Sequence, residues 1–545
     1  MIKKLKYFLA IITTMAIILT GCGTNQGSQT ETITGTVTTT TTTTIDSSIP
    51  TSSSTSQVVV DREFKASDLD VGYEDSTATH ITFDGSSIDV SGDGAIAKDS
   101  VLTINDEGTY VISGTLKYGQ IIVDAEDTDK VQIVLNGITI TCPDNAPIYI
   151  KNADKTLITL EKGTVNTLID GAEYVQTNDN NVDGVIYSTA DLTINGDGTL
   201  NIAGNYKHGI ASKDDLLITG GTFNITAVKD ALNGKDCVKI KDGTFILSAE
   251  TGNGIQSKNG DDATKGYVYI SGGEITVIKS QEGIEGTVII IENGTINITA
   301  EDDGFNASVG SSDAAEIATE ETNITGNQKP EDIVFGEIVP VPGETVPVPG
   351  EKVPGEKVPG ERVPGEQGKG GFGGGGGNSF EVSANCYISI EGGTIVIDAS
   401  GDGIDSNGNL YVSGGNTYVS GPTNSGNGGL DYNGVANITG GTVIVTGSTG
   451  MAQGFSDTST QYSLLNNLTT NSDAGTEIKL TDKDGNVLVS YIPKKQYQSI
   501  VISTPDLTKE ETYTLTFGDQ NTEITLTSVV TSNGQQAGMG GPGKR

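Results

Sequence analysis

Tryptophan is absent from this 545-residue chain, histidine occurs twice, at His80 and His208, and cysteine four times. With no indole, and with Tyr and Phe scattered, stacking on aromatic rings is not the main source of any affinity for a ring-shaped ligand. The chain offers no Cys–His spacing of a zinc site. After Cys22 the remaining thiols, Cys142, Cys237 and Cys386, are odd in number, which argues against a disulfide framework. Cys237 and Cys386 fall on predicted strands, where a small buried thiol suffices. Basic residues are scarce: 32 Lys and Arg face 70 Asp and Glu, a net charge of −38. Such a surface repels nucleic acid and anionic membrane. Helical periodicity is missing too, which leaves strands and turns.

Glycine is abundant, with 74 residues, and it is ordered. A Gly doublet or Asx-Gly pair opens one short β run after another: Gly220-Gly221-Thr222-Phe223, Asp242-Gly243-Thr244-Phe245, Gly272-Gly273-Glu274-Ile275, Asn293-Gly294-Thr295-Ile296, Gly392-Gly393-Thr394-Ile395, Gly414-Gly415 and Gly440-Gly441. From Gly221 to Gly441 the steps are 22, 30, 21, 99, 22 and 26 residues. A period in this range marks a solenoid, and short alternating strands make it an all-β parallel β-helix. Strands follow quickly from Val101 to Leu160 as irregular first coils, and regular coils run from about Asp191 to Thr446.

The ends read differently. Lys3, Lys4 and Lys6 precede an apolar run from Phe8 to Leu19, a secretory signal over residues 1–21. Leu19-Thr20-Gly21-Cys22 resembles a bacterial lipobox, which makes Cys22 the lipidated residue and places the protein on the outer face of a bacterial cell membrane, anchored but not spanning. Residues 22–60, Thr/Ser-rich, form a tether. The helix body covers 61–454. Residues 309–379 interrupt it with Val-Pro-Gly-Glu units and a glycine run, a loop thrown from one coil. Residues 455–530 read as a small antiparallel β cap over the open strand edge, and 531–545 as a tail.

Each regular coil carries a second marker, an acid or amide followed by a small and then an apolar residue: Asp230-Ala231-Leu232, Asn253-Gly254-Ile255, Glu282-Gly283-Ile284, Asp303-Gly304-Phe305 and Asp402-Gly403-Ile404. Three residues past the marker stands another oxygen-bearing side chain: Asn233, Gln256, Glu285, Asn306 and Asp405. Equivalent positions stack at about 4.8 Å per coil, so these side chains line a ridge. Oxygen donors at that density suit Ca²⁺, which takes six to eight oxygens in irregular geometry. The candidate ligands are Glu282, Glu285, Asp302, Asp303, Asn306, Asp402 and Asp405, with Asp230 and Asn233 as a further pair, and more than one ion is expected. A row of Asx turns and solvated acids is the bland alternative. His208 is read as structural, and the Gly-rich turns are not phosphate cradles because no helix follows them.

Several stretches resemble bacterial extracellular carbohydrate-binding β-helix lipoproteins of the kind that binds polygalacturonate. They are Asp127-Thr128-Asp129-Lys130-Val131-Gln132-Ile133-Val134-Leu135-Asn136-Gly137, then Asp191-Leu192-Thr193-Ile194-Asn195-Gly196-Asp197-Gly198-Thr199-Leu200, and Lys207-His208-Gly209-Ile210-Ala211-Ser212-Lys213-Asp214-Asp215-Leu216. The resemblance implies a right-handed parallel β-helix, bound calcium, and affinity for acidic plant polysaccharide (polygalacturonate or pectin), and for cellulose as well. The fold is shared with calcium-dependent pectate lyases, whose Asp-Asp-x-x-Asp motif is similar to Asp302-Asp303-Gly304-Phe305-Asn306. Such lyases need a Lys or Arg base on a following coil, and none occurs between Gly370 and Lys479. No catalytic residue is assigned: the reading is a binding scaffold. A polysaccharide lyase and a calcium-stiffened surface adhesin are its alternatives.

Overall fold

The computed structural model describes residues 57–310 and 382–534. The expected signal segment, Cys22, most of the tether and tail, and the inserted loop apart from Val309 and Gly310 lie outside the described residues. Within them one four-residue helix, Ala66–Leu69, accompanies 41 strands. The chain is nearly all β, with parallel strands in long sheets.

Three strands recur in each repeat, and each pairs in parallel with its counterpart one repeat later. One ladder of 12 strands runs from Ala95–Lys98 to Leu430–Tyr432; its first strand pairs antiparallel with Val101–Ile104, and the rest are parallel. A second passes through Asp215–Ile218, Cys237–Ile240, Tyr267–Ile270, Val288–Ile291 and Tyr387–Ile390. A third passes through Thr222–Ala227, Thr244–Ala249, Glu274–Lys279, Thr295–Ala300 and Thr394–Ala399. The repeat period becomes a spatial stack because apolar side chains meet across it. Ile210, Leu232, Ile255, Ile284, Phe305, Ile404 and Leu430 pair in unbroken register, and all are buried. Each such side chain contributes about 1.5–3 kcal/mol on leaving water. Phe305 pairs directly with Ile404, so the stack continues across the insertion.

The glycine period has a backbone cause. The second glycine of each pair has positive φ: 112° at Gly221, 92° at Gly273, 80° at Gly393 and 85° at Gly441. An L-side chain there costs roughly 1–2 kcal/mol. The first glycine of a doublet lies against the preceding repeat: a Cβ on Gly272 would stand 2.6 Å from the carbonyl oxygen of Lys241. Gly441→Ala is therefore expected to lower stability by about 1–2 kcal/mol, read from a urea unfolding curve. An unchanged midpoint would refute this account of the repeat.

Two parts differ from expectation. The structured body begins before Asp61. Tyr387 donates its hydroxyl to the Val58 carbonyl at 3.1 Å, and Tyr267 donates to that of Asp61 at 2.8 Å. Val60 is buried with Leu217, Tyr269, Val288 and Ile290. The segment then descends toward earlier repeats, where Asp68 forms a buried ion pair with Lys155 at 2.6 Å. Val58 and Val60 lie against an apolar outer face of the second ladder, so the last residues read as tether belong to the body. At the other end, the antiparallel segment of 455–530 does not form one separate sheet. Instead Tyr497–Ser503 pairs antiparallel with Thr442–Gly447 and with Ser463–Ser472, on the edge of the large sheet. A separate four-stranded antiparallel sheet holds Val487–Tyr491, Ile478–Thr481, Thr512–Phe517 and Gln520–Thr525.

Cys142, Cys237 and Cys386 are buried free thiols. Cys237 donates to Asp215 Oδ1 at 3.1 Å.

Candidate functional site

The 12-strand ladder carries the ridge. Its short strands Leu232–Gly234, Ile255–Ser257, Ile284–Gly286, Phe305–Ala307, Ile404–Ser406 and Leu430–Tyr432 turn an apolar residue inward at the first position. The second position holds Asn233, Gln256, Glu285, Asn306, Asp405 and Asp431 in one register column. The markers Asp230, Asn253, Glu282, Asp303 and Asp402 stack beside it, each accepting at its carbonyl the amide that follows the previous marker. Tight Gly residues let this second column approach: a Cβ at Gly401 would collide with the carboxylates of Asp302 and Asp303.

Three groupings emerge along the ridge. Asp303, Asp402 and Asp405 each bring one carboxylate oxygen to within 4.8 Å of the others. Burial pushes Asp303 up to about 7, Asp402 up to about 6 and Asp405 up to about 8. The neighbouring charges that raise Asp405 further are all carboxylates: Asp303, Asp402, Asp431 and Asp302. Backbone amides of Asp402 and Gly428 donate to Asp303 at 2.6 Å and to Asp402 at 2.5 Å, which fixes both side chains. Asp302 lies at the edge, accepting from Gln281 at 3.3 Å.

The second grouping is Glu282, Glu285 and Asn306. Asn306 donates to Glu282 Oε1 at 2.9 Å. Glu282 Oε2 and Asn306 Oδ1 are buried with no hydrogen-bond partner, an unmet demand that a cation would satisfy. Burial, then the charge of Glu285, pushes Glu282 up to about 8. Glu285 is already engaged, by the Lys258 ammonium and by Asn253 and Gln256, which donate at 2.6 Å.

Asp230 and Asn233 stand apart from both. His208 Nδ1 lies 3.2 Å from Asp230 Oδ2, and Asn233 donates to the same carboxylate at 2.6 Å. Asp230 is held below the usual carboxylate range by His208 against the opposing effect of burial. His208 and Asn233 already engage this carboxylate, so this pair is the weaker cation candidate.

Sequence reasoning missed Asp431, because its coil puts Gly428 where other coils put an acid. Periodicity at the apolar position, Leu430 above Ile404, would have found it. It also missed Asp191, Asp214 and Asp215, whose oxygens likewise lie within 4.8 Å of one another. Leu192 pairs with Leu216, so Asp191 and Asp215 occupy one register position of successive repeats.

Comparison with known proteins places residues 98–333 in a match to a family described as carbohydrate-binding domain-containing protein. A carbohydrate-binding domain-containing protein of Acetivibrio thermocellus is 38% identical over 150 residues, 27% of this chain. The match spans 52% of that relative, about half its length. Among solved structures, a polysaccharide lyase-like protein from C. thermocellum, in a gadolinium derivative, aligns at 32% identity with a TM-score of 0.40. That alignment covers 43% of this chain and 97% of the other.

Proposed function

We propose that this chain is a right-handed parallel β-helix, closed at its C-terminal end by the antiparallel strands, that binds acidic polysaccharide of the polygalacturonate type through calcium held on its ridge. Asp303, Asp402 and Asp405 would hold one ion, with Asp431 and Asp302 beside it, and Glu282 and Asn306 would contribute to another. The observation that carries the reading is the trio of half-buried carboxylates within 4.8 Å, whose close neighbours are further carboxylates. Stacking like charges out of water is unfavourable unless a cation neutralises them. When bound, calcium supplies positive charge and open positions for a uronate carboxylate. The protein's own residues hold the donors in register and keep the inner ones from solvent.

A lipid anchor at Cys22 on the outer face of a bacterial membrane fits such a role, the body reaching polymer in the surroundings. Cellulose, which carries no carboxylate, has no comparable anchor point on this ridge.

Calorimetric titration of polygalacturonate is expected to show binding about tenfold tighter with calcium than with chelator, the equivalent of about 1.4 kcal/mol. Equal affinity in both conditions would overturn the calcium reading. The same protein incubated with demethylated pectin is expected to release no unsaturated uronide. Growth of ultraviolet absorbance that depends on calcium would instead establish a lyase.

A further inference from the structure

The ridge changes sign along its length. Lys229 follows Lys207 in one backbone column, bonded amide to carbonyl at 2.8 Å, and the same column continues through Gln281 to Asp302. On the opposite side of the short strands, Ser212 pairs with Gly234 and Asn233 with Gln256. Lys213, Lys235 and Lys258 therefore occupy one position of three successive repeats. Thr287, Ser308, Asn407 and Asn433 take that position afterwards. Five lysines thus flank a groove of about 800 Å³ floored by Asn233 and Gln256, in a chain whose net charge is −38; Lys207 stands beside Asp183, Lys235 beside Asp261 and Lys258 against Glu285, so Lys213 and Lys229 are the ammonium groups set to meet a ligand.

The groove is not a plain basic patch. Asp183 Oδ1, in its wall, is buried without a hydrogen-bond partner. Such an acceptor asks for a hydroxyl donor. Asp230, also in the wall, is already engaged by His208 and Asn233. Lys229 and Lys213 are exposed, and Lys213 lies 5.7 Å from the ring centre of Tyr187. Ammonium groups at repeat spacing, amides between them and a buried acceptor match a ligand that carries carboxylates and hydroxyls together. The acidity of the remaining surface opposes a long nucleic acid.

We propose that this lysine-flanked groove, at the N-terminal end of the acidic ridge, is a second glycan subsite. It pairs the carboxylates of a uronate-containing oligosaccharide directly with ammonium groups and needs no metal. The inference rests on the acidic-glycan reading above but not on its calcium. A uronate chain lying along the stack would meet lysines over the repeats of Lys213 and Lys229 and calcium over those of Asp303 to Asp431.

The test is titration of a galacturonate oligosaccharide into the protein in excess chelator, with a neutral galactose oligosaccharide beside it. The wild type is expected to bind the acidic probe and not the neutral one, with affinity falling at high salt. The double variant Lys213→Gln, Lys229→Gln is expected to lose about tenfold in chelator and to keep the gain given by calcium. Lys213→Arg, Lys229→Arg should retain binding, and Asp402→Asn, Asp405→Asn should leave the chelator-resistant part unchanged. Binding seen only with calcium would overturn the subsite while leaving the calcium reading intact. Equal binding of the neutral probe, or a Gln variant that binds like wild type in chelator, would also overturn it. Chelator-resistant binding that calcium never tightens would support the subsite and remove the calcium reading.

Discussion

Calcium added at pH 8 is expected to raise the thermal unfolding temperature of this protein by roughly 5 °C, and at pH 5 to leave it almost unchanged. Glu282, Asp303, Asp402 and Asp405 titrate at about 6 to 8 in the folded protein, against 4.5 for Glu and 3.8 for Asp as ordinary values. Between pH 4 and pH 8 the folded state therefore holds protons that the unfolded chain has lost. Stability without calcium falls as pH rises through that window. His208, raised by Asp230 despite its burial, acts in the same direction. Its contribution is complete below its ordinary value of 6.5 and fades as pH climbs through its higher folded value. Calcium takes the place of the protons on the carboxylates, so its effect grows as they leave. Differential scanning calorimetry from pH 5 to pH 8, with calcium and with chelator, measures both slopes. A chelator curve that rises with pH, or a calcium shift independent of pH, would sink the account.

Asp405→Asn is expected to change stability in opposite directions depending on the ion. In chelator at pH 9, above the value of about 8 at which Asp405 ionises, it removes one of several crowded charges and raises the unfolding temperature, because Asp405 lies among Asp303, Asp402 and Asp431. In calcium it removes an anionic donor, and affinity for the ion is expected to fall about 100-fold. Calcium titration of the variant beside wild type gives the affinity, and the chelator melt gives the stability. Asn conserves shape, and the backbone bonds that set the coil, such as Ile404 N to Gly429 O at 3.2 Å, do not use the side chain. A variant that binds calcium as wild type does, or that melts lower in chelator, would show that these acids are only a solvated row.

Much of the ridge was legible beforehand because register in a stacked sheet converts spacing into distance. The positions of Asn233, Glu285, Asn306 and Asp405 follow from the apolar residue that precedes each, since that residue has one place to go. Hydrogen-bond partners were not legible. Nothing in the spacing says that Lys258 engages Glu285, or that His208 pairs with Asp230. Those contacts depend on which rotamer each long side chain takes among several acids of similar reach. The N-terminal segment was misjudged for a related reason. Val58 and Val60 sit in repeat-free sequence, and the face they cover is built from Tyr267, Tyr269, Val288, Ile290 and Tyr387, far away along the chain.

The sequence by itself determined the all-β character, the stacking unit and the columns that stack, because glycine conformations and alternating β-branched residues are local demands that repeat. Only the tertiary structure decided which column members meet without a counter-charge and which are already paired. It alone also placed five lysines around one groove. Charge compensation is a property of the three-dimensional neighbourhood, where residues from several repeats, and from the segment that crosses them, compete for the same carboxylates.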